Sequence, residues 1–398
     1  MRGYLSSQTG AVPFKGHISI HNGVLYNAPM SKGKLKSPNP SMFVGGELYT
    51  DHRWNLAQPT LTTQATYFLN GGKACLIVIS DFLLAHNIDR ILLPAYLCPS
   101  ILTAFERRGL KCDFYQVNED LSIDLQDLAQ KMDGVQAVYF INYFGFFPAP
   151  PVLAFLQGLR ENGVIVVEDN AQAGFHDHPT GDFILNSLRK FVAHDGGYLI
   201  TQQDMAPYLA SYRDLPNRRL PIIRDYRKGL YRYLIKGQGD FDALEAKFAL
   251  AEAYYDTDFV VLGDPQEQEA IERLDWPQIK QIRRDNYQYL LGLIASIPEI
   301  SPIFPLLPID NMPSGLPVYF SGVSRDEVNR ELGNAQIGLT IHWEEILDNP
   351  RTQGNRLAVE MAGKMLTLVI DQRTSRKQLD YLASNLVKAI ATVKSRLK

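Results

Sequence analysis

Residues Val164 to Glu168 read Val-Ile-Val-Val-Glu, an apolar, β-branched run with no polar side chain until its last position. A strand with one solvated face alternates apolar and polar residues, whereas a run that is apolar throughout suits a parallel strand buried on both faces. Parallel strands need long crossovers, usually helical, and the surrounding sequence supplies them. Helical periodicity over Ala74–His86, Ser100–Arg108, Leu125–Met132 and Val152–Glu161 alternates with short apolar runs at Arg90–Leu93, Lys111–Val117 and Ala137–Asn142. That order predicts an α/β fold with a mainly parallel central sheet covered by helices. Tyr198–Thr201, after a Gly-Gly pair, predicts one more strand, an antiparallel return.

A chain of 398 residues exceeds one ordinary core. We expect an N-terminal arm over 1–55, a large α/β domain over 56–265 and a smaller α+β C-terminal domain over 266–398. The arm has a strand-like piece at His17–Leu25. Its apolar residues (Val24, Leu25, Met42, Phe43, Val44, Leu48, Tyr49, Trp54) are too few for a core of their own. Further helices are expected at Asp242–Tyr255, Gln278–Ile294, Arg325–Leu332 and Arg376–Val393, with proline-broken loops from Pro302 to Pro317.

A composition of 45% hydrophobic and 21% charged residues excludes extended disorder. The net charge of −3 leaves no global electrostatic case for a nucleic-acid partner. A basic stretch at Arg213–Lys236 carries Arg218, Arg219, Arg224, Arg227, Lys228 and Arg232. It reads as a solvated helix face or, more sharply, as a phosphate-contacting flap. Cys75, Cys98 and Cys112 lack metal-ligand spacing and fit a reduced compartment. No apolar window reaches the ~20 residues of a membrane helix, and Met1–Gly10 lacks the apolar centre of a signal peptide. The expectation is a soluble cytoplasmic protein with no membrane partner and no metal site.

Three local groups carry chemistry. Asn70-Gly71-Gly72-Lys73 opens a helix, where backbone N–H groups and the helix dipole favour an anion. Glu168-Asp169-Asn170-Ala171-Gln172 stands at the C-terminal end of the apolar strand, where open α/β sheets place ligand-binding groups. Side chains alternate on a strand, so only one of Glu168 and Asp169 faces a given pocket. Ser187-Leu188-Arg189-Lys190, followed by Gly196-Gly197, sets a lysine among apolar neighbours. Desolvation lowers an ammonium pKa and favours a nucleophilic amine. Singly, each has a plain reading: a structural turn, a helix cap, a surface lysine.

In this order the three groups resemble the fold-type I aminotransferases that depend on pyridoxal 5′-phosphate (PLP), the DegT–StrS type above all, whose members transaminate nucleotide-linked keto sugars. The resemblance is clear over roughly residues 60–200. It implies a fold-type I PLP-transferase architecture with PLP held on Lys190 as a Schiff base. Lys190 would also move the proton at the reacting carbon. Asp169 would pair with the pyridinium nitrogen and Gln172 with the ring hydroxyl, while Gly72, Lys73 and Ser187 form the phosphate cup. Cys98 falls where such enzymes stack an aromatic ring on the cofactor, with Tyr96 as the alternative. Gly237–Phe241 is the nearest counterpart of the segment that reaches the partner subunit's phosphate. His342-Trp343 resembles a loop near the C-terminal domain.

The resemblance further implies an amino-acid donor, a keto-sugar-like acceptor and a homodimer with shared active sites. Other PLP chemistry remains open, as an amino-acid transaminase or a dehydratase. Known sugar dehydratases of this type carry histidine where this chain has Lys190. A non-catalytic PLP-binding regulatory protein is a further alternative.

Overall fold

The computed structural model describes residues 43–61, 67–175, 179–257 and 261–396. The chain enters through β1 (Val44–Gly45) and builds a seven-stranded sheet from β2 (Tyr67–Leu69), β3 (Arg90–Pro94), β4 (Lys111–Tyr115), β5 (Ala137–Ile141), β6 (Ile165–Asp169), β7 (Phe183–Leu185) and β8 (Gly197–Thr201). The strand order is β2-β8-β7-β6-β5-β3-β4. β3 pairs in parallel with β4 and β5, β5 with β6, and β6 with β7. β8 is antiparallel to both neighbours, the return expected of Tyr198–Thr201. The apolar run lies mid-sheet as β6, and every residue of the adjacent β5 is buried.

Four crossover helices cover the sheet: α1 (Gly72–Ala85), α2 (Pro99–Arg108), α3 (Leu125–Lys131) and α4 (Pro150–Glu161). Their ends follow local chemistry. Pro99 and Pro150 open α2 and α4, Gly109 closes α2 in the left-handed conformation, and Asp124 caps α3 through the Asp127 N–H. β7 is missing from the expected strands, because three residues are too few to show a period.

After α5 (Ala206–Leu209) the chain forms a helical hairpin, α6 (Arg219–Lys236) and α7 (Phe241–Thr257), then α8 (Pro265–Glu272) and the long α9 (Trp276–Ile294). The remainder comprises β9 (Ile300–Pro302), β10 (Leu316–Phe320), α10 (Arg325–Asn334), β11 (Ile337–Gly338), α11 (Arg356–Lys364), β12 (Met365–Leu368) and α12 (Arg376–Arg396). Here the sheet is antiparallel, in the order β12-β10-β9.

The described part of the arm finds its core on the rest of the chain. Val44 is buried and β1 pairs with β11, Phe43 and Tyr49 pack on the α6–α7 hairpin, and Trp54 joins the cluster around Leu274 and Trp276. His17–Leu25, with Val24 and Met42, lies outside the described residues. The basic stretch, expected as a solvated helix face, is not one. Arg218, Lys228 and Arg232 are exposed, but Arg219 and Arg227 are buried and ion-paired to Asp195. Helical periodicity hid this, because the acid that holds them lies outside the helix.

Candidate active site

Parallel strands end on one edge of the sheet, so their C-terminal loops converge there. β3 delivers Tyr96 and Cys98, β5 delivers Asn142 and Phe144, β6 delivers Asp169 to Gln172, and β7 delivers Ser187 to Lys190.

The two acids of β6 separate cleanly. Glu168 is fully satisfied: its carboxylate accepts from Asn142 Nδ2 (3.0 Å), Asn170 Nδ2 (3.1 Å), Thr180 N (2.6 Å) and Gly181 N (3.0 Å). It ties β6 to its neighbours. Asp169, 4% exposed, accepts from Tyr139 Oη at 2.5 Å and Ala171 N at 2.7 Å. Burial pushes its carboxyl up, opposed by the charge on Lys190 and by these two hydrogen bonds. Asp169 is therefore the acid that addresses the lysine.

Lys190 ends a short 3-10 turn that starts from Ser187. It is half-buried, and among the described residues its amine makes no hydrogen bond and no ion pair. Burial pulls its ammonium down, against the raising effects of Cys98 and Asp169, and Arg189 adds to the depression. The trailing glycines are required by close approach. A Cβ on Gly197 would lie 2.2 Å from the Asn186 carbonyl oxygen, and one on Gly196, at φ +143°, would enter the Phe68 ring. Asn186 in turn accepts from Tyr198 N at 2.8 Å, locking the strand to the lysine turn.

The α1 N-terminus meets that turn. A Cβ on Gly72 would lie 3.5 Å from Ser187 Cβ, and one on Gly71 3.7 Å from Ser187 Oγ. Ser187 is 4% exposed and its hydroxyl has no partner among the described residues. Gln172, 2% exposed, accepts from Phe144 N at 3.1 Å, while its buried Nε2 has no partner among the described residues. Lys73 shares the first turn of α1, but its amine reaches away, to the Tyr255 carbonyl at 2.7 Å.

The structure does not bring Tyr96 into this group. Its ring is fully buried against Tyr143 and Trp343, and its hydroxyl donates to the His342 carbonyl. Cys98 remains half-buried, its Sγ 3.0 Å from Ser100 Oγ. Burial raises its thiol, opposed by the nearby Lys190 charge. Two further residues belong here without a local motif to announce them. Tyr139 supports Asp169 from the neighbouring strand. His342, bonded through Nδ1 to Thr367 Oγ1 at 2.8 Å and edge-on to Phe144, is lowered to about 3 by burial and by the Lys190 charge. A tyrosine inside the apolar run Ala137–Ile141 was the only sequence signal for the first of these.

Among the described residues the arrangement offers an unpaired amine near a buried carboxylate, an unpaired amide donor, and a helix N-terminus beside an unpaired hydroxyl. Solved structures share the fold that creates it. The aminotransferase TlmJ from Streptoalloteichus hindustanus aligns with a TM-score of 0.59 at 18% identity, over 82% of this chain and 86% of that one. Spr1654 from Streptococcus pneumoniae, solved in its PMP form, gives 0.62 at 14%, over 89% and 99%. The sugar aminotransferase CalS13 from Micromonospora echinospora gives 0.53 at 15%, over 81% and 86%. The chain has the fold of these aminotransferases. At such identities the likeness is one of fold. No protein-family model matches the sequence, and no curated protein does either.

Proposed function

We propose that the chain is a PLP-dependent aminotransferase that moves an amino group from an amino acid to a keto sugar or similar ketone. The observation that carries the reading is Lys190, an amine without a partner among the described residues, half-buried and within the field of buried Asp169. The residues present fit the cofactor. A pyridine ring with one hydroxyl, one aldehyde and one phosphate calls for a carboxylate, a hydrogen-bond donor, an amine and an anion cup. Asp169, the unpartnered Gln172 Nε2, Lys190, and Gly71-Gly72 with the unpartnered Ser187 hydroxyl match these needs.

Bound there, PLP supplies an electron-withdrawing ring that takes up charge from the substrate carbon. Asp169 would hold a proton on the ring nitrogen, and Tyr139 fixes the orientation of that carboxylate. Lys190, half-buried beside Asp169, would hold the cofactor through its amine and would be the group to carry the proton at the reacting carbon. His342, held neutral, leaves Lys190 the basic group on that side. Cys98, rather than Tyr96, is left to pack on the cofactor face. The likeness to TlmJ and CalS13, both aminotransferases, favours this activity over the dehydratase and regulatory readings.

Domains of 56–265 and 266–398 behind an arm of 1–55 belong to this proposal, as does a cytoplasmic setting. Among the described residues no helix is long and apolar enough to cross a membrane. We also place the working form as a homodimer. Ile235 and Leu250 expose apolar surface on the α6–α7 hairpin, and Leu306 and Ile309 are each 81% exposed.

Borohydride reduction of the yellow, PLP-loaded protein, followed by peptide mapping, tests the reading. The tag is expected on Lys190 and absent from a folded Lys190→Ala variant. A tag on Lys73 or elsewhere overturns it. A screen of amino-acid donors and then keto-sugar acceptors reads the activity.

A further inference from the structure

Arg283 of α9 is 1% exposed, yet among the described residues no carboxylate bonds to its guanidinium. Its acceptors are all neutral: Gln372 Oε1 at 2.9 Å from Nε, the Pro313 and Ser314 carbonyls at 3.4 and 3.2 Å from Nη1, and the Phe191 carbonyl at 3.2 Å from Nη2. Burial pulls the guanidinium down to about 10, opposed by Asp371, which is itself paired with Arg373. A charge taken out of water without a bonded counter-ion is a poor source of stability. What the fold uses here is the geometry of the fork.

That fork grips the residue that follows Lys190. The Phe191 carbonyl accepts from Arg283 Nη2 and also from Gln372 Nε2 at 2.7 Å, and the Phe191 ring centroid lies 4.9 Å from the guanidinium. The same guanidinium holds the Pro313–Ser314 backbone, which continues the connection across the site. Ser314 N donates to the Phe144 carbonyl at 3.1 Å, and Phe144 N donates to Gln172 Oε1 at 3.1 Å. Phe144 sits at φ +55°, a left-handed conformation that a bulky side chain adopts only under constraint. The loop supplies that constraint. A Cβ on Gly145 would meet the Met312 carbonyl oxygen at 2.3 Å, and Asn311 Nδ2 donates to the Gly145 carbonyl at 2.8 Å. One buried side chain therefore joins the Lys190 turn to the Gln172 amide through a continuous series of hydrogen bonds.

We propose that Arg283 and Gln372 are positioning residues that hold Lys190 and Gln172 in fixed relation to each other. This rests on the PLP reading above, in which Lys190 meets the aldehyde and Gln172 the hydroxyl on the neighbouring ring carbon. Neither Arg283 nor Gln372 touches the reacting atoms. They act through the Phe191 and Ser314 carbonyls, so that the two groups address adjacent ring positions without rearranging. A misplacement of about 1 Å in such a pair costs on the order of 100-fold in rate.

The test uses Gln372→Met, which keeps the side-chain length and removes both hydrogen bonds, and Arg283→Lys, which keeps the charge and removes the fork. Each is loaded with PLP and two quantities are read. Visible circular dichroism per bound PLP reports how the ring is held, and the single-turnover rate is taken at saturating donor amino acid. Leu290→Ala is the control, a buried leucine further along the same helix, whose loss weakens the fold but none of these hydrogen bonds. Both variants are expected to lose visible dichroism and to slow the saturated rate by about 10- to 100-fold, with little change in the donor concentration at half-saturation. Leu290→Ala should melt earlier and keep both signals. Should Arg283→Lys fail to fold, Gln372→Met decides alone. Wild-type dichroism and rate in the variants overturn the inference, and so does a parallel loss of both signals in Leu290→Ala. If neither variant folds, the contact belongs to folding and the inference falls. Wild type that takes up no PLP on Lys190 removes the function itself, and the inference with it.

Discussion

At the scale of single residues, burial decides which groups do chemistry. Asp169 and Glu168 are adjacent and both buried, but Glu168 spends its four acceptor contacts on the fold and Asp169 keeps a face toward Lys190. Asp169→Asn should therefore slow the amino-donor half-reaction by about 10²-fold or more, because an amide cannot hold the ring nitrogen protonated. Cofactor retention should change far less. Equal stopped-flow rates for variant and wild type would transfer the role away from Asp169. His342 gives a pH signature. Its folded value of about 3 lies below the ordinary 6.5, so between those limits the unfolded chain holds a proton that the folded chain lacks. Stability from this group is complete above pH 6.5 and is lost as pH falls toward 3. Thermal melts of wild type and His342→Gln from pH 7 to 4 should converge as the wild type loses that term. Parallel melting curves would mean that His342 is not held neutral.

At the scale of elements, close backbone approach holds the lysine turn against the sheet. Gly197 has no room for a side chain against the Asn186 carbonyl. Gly197→Ala is expected to cost about 1–3 kcal/mol, the usual range for overpacking. Gly158, inside α4 with nothing within 4 Å of an added Cβ, should respond oppositely: Gly158→Ala should stabilise by roughly 0.5–1 kcal/mol through helix propensity. Urea midpoints for the pair check both signs, and a neutral Gly197→Ala would show that the turn can shift. The same contrast explains what was legible in the sequence. β6, α1 and the lysine turn are continuous in sequence and announce themselves by pattern, so Asp169, Gln172, Ser187 and Lys190 were readable together. Tyr139 and His342 reach the site from distant segments, and no spacing rule links them to Lys190. Arg219 and Arg227 looked like solvated cations because Asp195 is separated from them by an intervening element. β7 was too short to show, although it carries the lysine turn.

At the scale of the whole molecule, what remains unburied argues for a second subunit. The described part of the arm adds nothing to that case, since Phe43, Val44, Tyr49 and Trp54 pack within the chain. The hairpin does. Its turn, Gly237–Asp240, projects from the end of α6 opposite to Arg219, and Ile235 and Leu250 leave apolar surface open along it. If that surface crosses a two-fold axis, each hairpin lies against the partner's site, and a lesion in the hairpin harms the partner rather than its own Lys190. Gly239 sits at φ +116° and would add strain of its own when replaced, so the probe belongs at exposed Gln238. Lys190→Ala and Gln238→Trp should each be inactive alone. In mixed dimers the intact hairpin of the first serves the intact lysine of the second, so random exchange should restore up to about a quarter of wild-type activity. Light scattering should report the mass of a dimer that persists on dilution, as expected of an obligate interface on the order of 2,000 Å² or more. A fully active monomer, or no rescue after confirmed subunit exchange, would leave each site complete within one chain and the exposed hairpin without a catalytic role.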